Sequence, residues 1–349
     1  MSKKIKVGLI GSGFIGQVAH INSLQNQKDV EIVALSELRP KLGQKVCKKY
    51  NIKKLYQNFE EMIDENKLDL IIAIVRRYHT AEVAFKVLSR GVNLFTEKPM
   101  APSYSQAKKL LDLSKKKKLK YIIGNMRRFD EGIQFVKNIL SNKNKLKKQF
   151  GELINFKSHC YAGYDYCNID GDIRTDEPPP TKTSWPKYPN WIKNKRLGNE
   201  FEKFLNYFSH DINLIRYFFG DKFKTKAFFK KNSGNIFFNF ENFYGTFDFI
   251  YASEKIWREK FEINFSRGRI IVELPPAFLR NQPSKIKIFY DKGLNKIYEP
   301  KFDWTWSFKN QSLELIKSIK NKKKSVSSAD DTLKDLDAIE NIWKNSNLI

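Results

Sequence analysis

Cysteine is scarce in this sequence: Cys47, Cys160 and Cys167 are the only three among 349 residues. Their spacing lacks the pairing of a zinc site, so we predict no metal centre. Cys160 and Cys167 are near enough in the chain to meet in principle. Free thiols in a reducing compartment are the simpler interpretation.

Long apolar runs are missing as well. No uninterrupted run approaches the length of a membrane span, which argues against a membrane anchor. The first residues, Met1 to Val7, pass directly into a predicted strand rather than into the apolar segment of a signal peptide. We therefore expect a soluble cytoplasmic protein that has no membrane partner.

Acidic residues are in deficit: 38 Asp and Glu stand against 64 Lys and Arg, a net charge of +26. Such an excess raises the question of a nucleic-acid partner. The lysines are spread over the whole chain, and no groove-reading motif or aromatic–arginine platform accompanies them. We predict no nucleic-acid partner, although a basic surface favours anionic ligands.

Length and patterning predict two domains. A chain of 349 residues exceeds what one core usually supports, and 41% hydrophobic residues suffice for packed cores. Strands alternate with helices up to Gly124, which predicts a Rossmann-type doubly wound parallel sheet of the α/β class. After Asn125, successive strands with short turns predict a mostly antiparallel sheet with helices, of the α+β class. The predicted domains are 1–125 and 126–349.

The periodicities also place individual elements. In the first domain, strands are expected at 5–10, 31–36, near 55, 70–75, 92–97 and 121–124. In the second domain we expect a helix at 126–140, a lysine-rich loop at 143–148, and strands at 151–161, 225–230, 235–240, 243–251, 259–265 and 269–274. A hairpin at 285–298 is expected to turn on Asp291-Lys292-Gly293. Helices are expected at 200–220, 308–320 and 330–345, the last packing back on the first domain.

Residues 162–198 form a long aperiodic segment. It contains Pro178-Pro179-Pro180 and two tryptophans, Trp185 and Trp191. Structureless segments of this length are usually lids, binding loops or linkers. Proline stiffening and the tryptophans favour an ordered lid; a hydrophobic strap across the second domain is the alternative.

A glycine-rich turn follows the first strand. Gly11-Ser12-Gly13-Phe14-Ile15-Gly16 matches G-x-G-x-x-G between a predicted strand and a predicted helix. The first glycine permits a tight turn, the second lets the backbone approach a pyrophosphate, and the third lets helix and strand pack closely. The helix N-terminus stabilises phosphate charge. We predict a dinucleotide site that includes these six residues.

Glu37 ends the second strand, about 20 residues after the last glycine. An acid here accepts hydrogen bonds from an adenosine ribose and repels a 2′-phosphate, which favours NAD. Ser36 and Arg39 lie close by, so NADP is left open. The alternative to a dinucleotide site is a glycine turn next to a solvated surface acid.

Two further patterns carry chemistry. Glu97-Lys98-Pro99 ends the fifth strand, at the sheet edge where open α/β folds bind ligands. Within Glu200–Gly220, an apolar stripe has helical spacing: Phe201, Phe204, Leu205, Phe208, Ile212, Ile215 and Phe219. His210 lies off this stripe, on a face shared with Asn206, Asn213 and Tyr217.

These motifs, together with Met126-Arg127-Arg128-Phe129, resemble the glucose–fructose oxidoreductase, inositol dehydrogenase and MocA family over essentially the whole chain. The resemblance implies a Rossmann domain that binds NAD or NADP, followed by an open-faced antiparallel sheet with helices on one side. It implies a lysine and a histidine acting on a sugar or cyclitol hydroxyl, and a cis bond between Lys98 and Pro99.

The resulting hypothesis is reversible hydride transfer between nicotinamide and a secondary alcohol. His210 would remove the hydroxyl proton, and Lys98 would stabilise charge on the same oxygen and help seat the cofactor. Asn206 would position the substrate. Glu97 would anchor the strand end or bind the nicotinamide ribose, and Arg127 would contact the substrate or lie just behind it.

Two departures from the family pattern keep alternatives open. Asn206 replaces the family's aspartate, and Ile74-Val75-Arg76 replaces Thr-Pro-Asn after the fourth strand, where Arg76 would contact the cofactor or an anionic substrate. The alternatives are a nucleotide-sugar dehydrogenase or reductase in surface-polysaccharide sugar biosynthesis, and a non-catalytic dinucleotide-binding regulatory protein. An exposed sheet face predicts a homo-oligomer, a dimer or tetramer.

Overall fold

The computed structural model of this chain describes residues 3–165, 167, 170–179, 181, 183–290, 296–321 and 323–348. The chain forms two compact units. The first unit consists of residues 1–125, 170–206 and 308–336, and the second of residues 126–169, 207–307 and 337–349. The first unit thus contains, besides residues 1–125, two segments from later in the sequence.

The first unit is built on a parallel sheet. Its strands are β1 (Ile5–Ile10), β2 (Val30–Ser36), β3 (Lys54–Tyr56), β4 (Leu70–Ala73), β5 (Asn93–Glu97) and β6 (Tyr121–Gly124). Among the described residues their order is β3-β2-β1-β4-β5-β6, and every neighbouring pair is parallel. All residues of β4 and β6 are buried, as expected for strands covered on both faces. The predicted doubly wound sheet is confirmed.

Helices connect these strands: α1 (Asn22–Gln25), α2 (Pro40–Tyr50), α3 (Phe59–Glu65), α4 (Thr80–Ser89) and α5 (Tyr104–Lys116). Asn58 and Ser103 cap α3 and α5, because their side chains accept hydrogen bonds from the N–H groups of Glu60 and Gln106. The run Gly16–Ile21, which links the glycine turn to α1, is π-helical, and all six of its residues are buried. Such wide turns are frequent at functional sites.

The second unit is built on a larger sheet. Its strands are β7 (Leu153–Ala162), β8 (Lys224–Lys230), β9 (Ser233–Asn239), β10 (Tyr244–Tyr251), β11 (Arg258–Phe265), β12 (Gly268–Leu274), β13 (Lys285–Tyr290) and β14 (Lys296–Tyr298). Among the described residues the order is β14-β13-β12-β11-β7-β10-β9-β8. Every neighbouring pair is antiparallel except β7 and β10. The predicted mostly antiparallel sheet is confirmed, while the predicted turn at 291–293 lies outside the described residues.

One predicted loop is wrong. After a 3-10 turn at Met126–Phe129 and the helix α6 (Glu131–Ser141), residues Lys143–Phe150 form the helix α7. Asn142 caps its start by accepting a hydrogen bond from Lys145 N–H, and Gly151 ends it with a φ of 81°. Phe150 anchors the helix, since it is buried against the rings of Phe265 and Tyr290. The lysine-rich composition favoured a loop, but α7 has one buried residue, Phe150, and capping residues at both ends.

Three helices complete the chain: α8 (Lys195–Phe219), α9 (Ser307–Asn321) and α10 (Ala329–Lys344). The predicted stripe on α8 is buried at Phe201, Phe204, Leu205, Phe208, Ile212 and Ile215. Phe219 is only partly buried and stacks on Phe156, with ring centroids 4.4 Å apart. Among the described residues, no helix combines the length and apolarity required to cross a bilayer.

Aromatic rings fill the core of the second unit. Phe208 is fully buried, and its ring centroid lies 4.7 Å from that of Phe249 and 5.0 Å from that of Tyr251. Gly245 on β10 makes room for another core ring, because a Cβ there would lie 2.0 Å from the ring of Phe156. The core therefore depends on close ring contacts that leave little room for change.

Phe208→Ala should lower the free energy of unfolding of the second unit by about 3–5 kcal/mol, since it removes a buried ring and leaves a cavity. Denaturant unfolding followed by tryptophan fluorescence measures this loss. Ile297→Ala is the control, because that side chain is 60% exposed on β14, at the opposite edge of the sheet from β8. Equal losses for the two variants would contradict the packing described here.

Candidate active site

The glycine turn lies at the sheet's topological switch point, between β1 and its two neighbours β2 and β4. Gly11 has a φ of +85°, and a Cβ there would lie 2.4 Å from the carbonyl oxygen of Ile74. A Cβ at Gly16 would lie 3.1 Å from the oxygen of Gly11. Gly13 is different, because its nearest neighbour would be a guanidinium nitrogen of Arg39 at 4.0 Å. The turn is tight at two glycines and open at the middle one, which suits the approach of a phosphate.

A cavity of about 540 Å³ opens over this turn. Seven of the predicted cofactor-binding residues line it: Gly11, Gly13, Phe14, Ile15, Gly16, Glu37 and Arg76. Ser12 is fully buried beneath the turn, and Glu97 and Lys98 lie outside the lining. The volume falls within the range of small-molecule and cofactor pockets. The residues present therefore fit a dinucleotide.

Glu37 is a buried carboxylate held by two neighbours. It accepts hydrogen bonds from the N–H of Ser12 at 2.8 Å and from its hydroxyl at 2.9 Å. It also accepts from Nε and Nη2 of Arg39, at 2.8 Å and 3.1 Å. Burial by itself would raise the pKa of Glu37, but these hydrogen bonds and the charge of Arg39 lower it below its ordinary value. The group is charged at neutral pH, and its role as a ribose acceptor stays a prediction.

Two arginines, Arg76 and Arg77, follow β4 in the sequence. Arg76 is exposed, lines the cavity, and donates from Nη1 to the hydroxyl of Tyr78 at 3.0 Å. Nε of Arg77 lies 2.8 Å from a carboxylate oxygen of Glu202. Arg76 and Arg39 are thus the two arginines of the cavity lining, and the predicted contact of Arg76 with the cofactor stays a prediction.

Most described residues of the long loop belong to the first unit. We call residues 170–179, 181 and 183–191 the strap; they belong to the first unit, which favours the predicted lid over a hydrophobic strap across the second domain. Nε2 of the buried Gln17 donates to the carbonyl of Ile173, whose N–H donates back to Gln17 Oε1. The side chain of Gln106 donates to the carbonyl of Pro186 at 3.0 Å. Pro179 lines the cavity, and the predicted role of the loop as a lid stays a prediction.

Glu97 is bound within the protein. One of its carboxylate oxygens lies 2.8 Å from Nε2 of His20, and the other accepts from the N–H of Lys98 at 3.2 Å. The His20 ring is buried, with the Phe95 ring 5.3 Å away. These contacts match the predicted role of Glu97 as an anchor of the strand end. Sequence reasoning missed His20; the signal was a polar residue in a buried run, four positions after the last glycine.

Lys98 lies at the carboxyl end of β5, and its bond to Pro99 is cis, which confirms that expectation. Its Nζ donates to the backbone oxygen of Asn206 at 2.5 Å. Asn206 on α8 is the last residue that its segment contributes to the first unit. His210 follows four residues later on α8, in the second unit. The catalytic roles of Lys98 and His210 remain predictions.

Arg127 is buried in the second unit, with 3% of its surface exposed. Nη2 lies 2.5 Å from a carboxylate oxygen of Glu259, and Nη1 donates to the carbonyl of Pro275 at 2.8 Å. Glu259 also belongs to a buried trio with Cys160 and Asp211, whose ligand-type atoms lie within 4.8 Å of one another. Burial and these two carboxylates raise the pKa of the Cys160 thiol well above its usual range. Arg127 therefore balances charge in a core cluster that the sequence pattern did not indicate.

Comparisons with known proteins cover the two units unequally. Residues 5–125 match the model of an oxidoreductase family with an NAD-binding Rossmann fold. Inositol 2-dehydrogenase from Salmonella typhimurium is 29% identical over 141 residues, which cover 40% of this chain and 42% of that protein. The chain thus matches less than half the length of such curated relatives.

Solved structures resemble almost the whole chain. Aldose-aldose oxidoreductase from Caulobacter crescentus, complexed with glycerol, has a TM-score of 0.77 at 16% identity and covers 98% of this chain and 97% of its own. A 3-ketoreductase from Actinomadura kijaniata, in complex with TDP-benzene and NADP, has a TM-score of 0.74 at 14% identity and covers 99% and 98%. At these identities, the likeness is one of fold.

The buried Glu37 predicts a pH dependence. Because its folded pKa is depressed, its contribution to stability is complete above the ordinary value of 4.5 and is lost as pH falls through the folded value. Glu37→Gln should therefore cost about 1–3 kcal/mol at neutral pH, with the deficit shrinking below about pH 4.5. Unfolding free energies measured between neutral and acidic pH test this. Glu31→Gln, at an exposed position of β2, is the control and should show no such trend.

Proposed function

We propose that this chain oxidises or reduces a secondary hydroxyl or ketone of a sugar or cyclitol. The premise is that residues 5–125 belong to the glucose–fructose oxidoreductase, inositol dehydrogenase and MocA family of NAD(P)-binding oxidoreductases. One observation carries the proposal. The open glycine turn after β1 and Lys98 after β5 lie at the carboxyl edge of the same parallel sheet. A cofactor and a proton-handling cation at one edge are what a dehydrogenase requires.

The first unit supplies the cofactor site. When bound, the nicotinamide supplies the hydride acceptor or donor. Gly13 leaves room for the pyrophosphate beside the backbone, and Gly11 and Gly16 fix the turn that presents its N–H groups. Glu37 would accept from the ribose by exchanging a hydrogen bond that it now receives from Ser12 or Arg39. Arg76 lies at the exposed rim of the cavity, where a cofactor phosphate or an anionic substrate would meet it.

Lys98 supplies charge at the reacting oxygen. Its ammonium now donates to the carbonyl of Asn206, and a substrate oxygen would take the place of that acceptor. The adjacent Glu97 is held by His20, so the strand end that carries Lys98 is fixed on both sides. An ammonium fixed in advance stabilises negative charge that develops on the oxygen as the proton leaves.

His210 would accept that proton, because imidazole titrates near neutrality. The family aspartate four residues earlier is Asn206 in this chain, so no carboxylate raises the basicity of His210 from that position. The amide of Asn206 would instead donate or accept a hydrogen bond with a substrate hydroxyl. Of the two roles predicted for Arg127, the one just behind the substrate is favoured, because the side chain is buried and paired with Glu259.

The same Asn206 favours a second candidate: a dinucleotide-binding protein that turns over no substrate. A third candidate is an enzyme that acts on an anionic substrate such as a nucleotide sugar, which the net charge of +26 favours. An assay panel of polyols, free sugars and nucleotide sugars separates the three. Cofactor binding without turnover of any of them supports the second candidate.

Lys98→Ala and His210→Ala should each lower kcat by about 10²- to 10⁴-fold, since each removes a group that handles the proton or its charge. His210→Ala should leave the dissociation constant for reduced cofactor unchanged. Turnover is followed by the absorbance of reduced nicotinamide on the active substrate. Lys109→Ala, at an exposed position of α5, is the control and should be neutral. Near-normal turnover in both site variants would contradict the catalytic roles assigned to Lys98 and His210.

We also propose that the chain forms a homo-oligomer through its second unit. Three large side chains are exposed on consecutive strands of the sheet: Phe228 at 58%, Phe237 at 36% and Tyr244 at 43%. The rings of Phe237 and Tyr244 stack with centroids 5.7 Å apart, and exposed apolar side chains grouped in this way mark contacts between proteins. Light scattering should give a multiple of the 41.1 kDa chain mass, and Phe228→Lys should reduce it. A monomer in the unaltered protein would contradict the proposal.

A further inference from the structure

A carboxylate of the strap occupies the start of helix α2. Glu177 accepts hydrogen bonds from the N–H groups of both Lys41 and Leu42, each at 2.9 Å. These are the second and third residues of α2; the first, Pro40, has no N–H. Arg39, which precedes the helix, contributes no capping side chain. The end of α2 is therefore capped by a residue 135 positions away from Leu42 in the sequence.

Further contacts hold this carboxylate in place. The hydroxyl of Thr175 donates to Glu177 at 2.9 Å, and the neighbouring Asp176 lies 3.1 Å from Nζ of Lys41. Burial raises the pKa of Glu177, but the hydrogen bonds from Lys41, Leu42 and Thr175 outweigh it and lower that pKa. The strap thus brings two negative charges to one helix end.

This helix end adjoins the predicted adenosine site. The helix begins three residues after Glu37, and a Cβ at Gly43 in its first turn would lie 3.4 Å from Cβ of Glu37. Pro179, two residues after Glu177, lines the cavity together with Glu37 and Arg39. In dinucleotide sites the acid at Glu37's position binds the ribose 2′-hydroxyl, which is the atom that carries the extra phosphate of NADP.

The donors that a 2′-phosphate needs already face carboxylates of this chain. Ser12 and Arg39 donate to Glu37, and the N–H groups that begin α2 donate to Glu177. A phosphate dianion would have to displace these acids and remain close to their charge, which is unfavourable in a partly buried site. The neutral 2′-hydroxyl of NAD meets no such opposition.

We propose that Glu177 of the strap is a specificity-determining residue that makes the cofactor site select NAD over NADP. The inference rests on the proposed function only in requiring that the cavity binds a nicotinamide dinucleotide. Without the charge of Glu177, the start of α2 becomes a pair of N–H donors next to Lys41, an arrangement that binds phosphate. Glu177 therefore acts by filling an anion site that would otherwise accept the cofactor's extra phosphate.

The test is equilibrium titration with NADH and NADPH, followed by nicotinamide fluorescence, in the full chain. The unaltered protein should bind NADH at least about 10-fold more tightly than NADPH. Glu177→Gln keeps an oxygen that can cap the helix but removes the charge. It should tighten NADPH binding by about 5- to 10-fold and change NADH binding by less than about twofold.

Asp176→Asn is the matched control. It removes an equal charge from the strap, but Asp176 is 77% exposed and pairs with the lysine side chain rather than with the helix N–H groups. It should leave the ratio of the two dissociation constants within about twofold. The proposal is overturned if the unaltered protein binds both cofactors equally, if Glu177→Gln leaves the ratio unchanged, or if both variants shift it equally. Absence of binding to either cofactor would overturn the proposed function as well, which separates the two failures.

Discussion

The buried charge of Glu37 sets the arrangement around it. A carboxylate taken out of water is tolerated only when donors replace its hydration, and an unpaired one costs several kcal/mol. Ser12 supplies two donors from the glycine turn, and Arg39 supplies the others from the approach to α2. One group therefore ties together the end of β1, the end of β2 and the start of the next helix. Glu37 and its partner Arg39 both line the cavity over the turn, so this charge pair forms part of the cavity wall.

Much of the fold follows from patterns within single segments. Apolar runs such as Leu70–Ala73 are typical of strands covered on both faces, and the spacing of the stripe from Phe201 to Ile215 is typical of one side of a helix. Patterns of this kind fail where pairing between distant segments decides. The parallel pairing of β7 with β10 inside an otherwise antiparallel sheet depends on chain crossing, and no local signal carries it. The π-helical run Gly16–Ile21 likewise looks like an ordinary helix in sequence, since its backbone hydrogen bonds span one residue more than those of an α-helix.

The candidate site divides in the same way. The glycine turn, Glu37 and Lys98 were placed by motifs whose function depends on fixed spacing, so the sequence carries them. Partners from distant segments were not predictable. His20 meets Glu97 across 77 positions, and Arg127 meets Glu259 across 132. The second pairing bears on the two roles predicted for Arg127: a buried carboxylate that only the fold brings near already binds its guanidinium, which disfavours direct contact with a ligand.

The position of the strap affects how cofactor preference can be inferred from sequence motifs in this family. The match to the oxidoreductase family covers residues 5–125, whereas Glu177 belongs to a segment beyond it. Two chains with identical glycine turns and identical acids after β2 can therefore differ in cofactor preference through one residue of a loop that neither motif includes. Such a loop tolerates substitution more freely than a buried strand. The preference for NAD or NADP can thus change during evolution while the glycine turn and the acid after β2 stay the same.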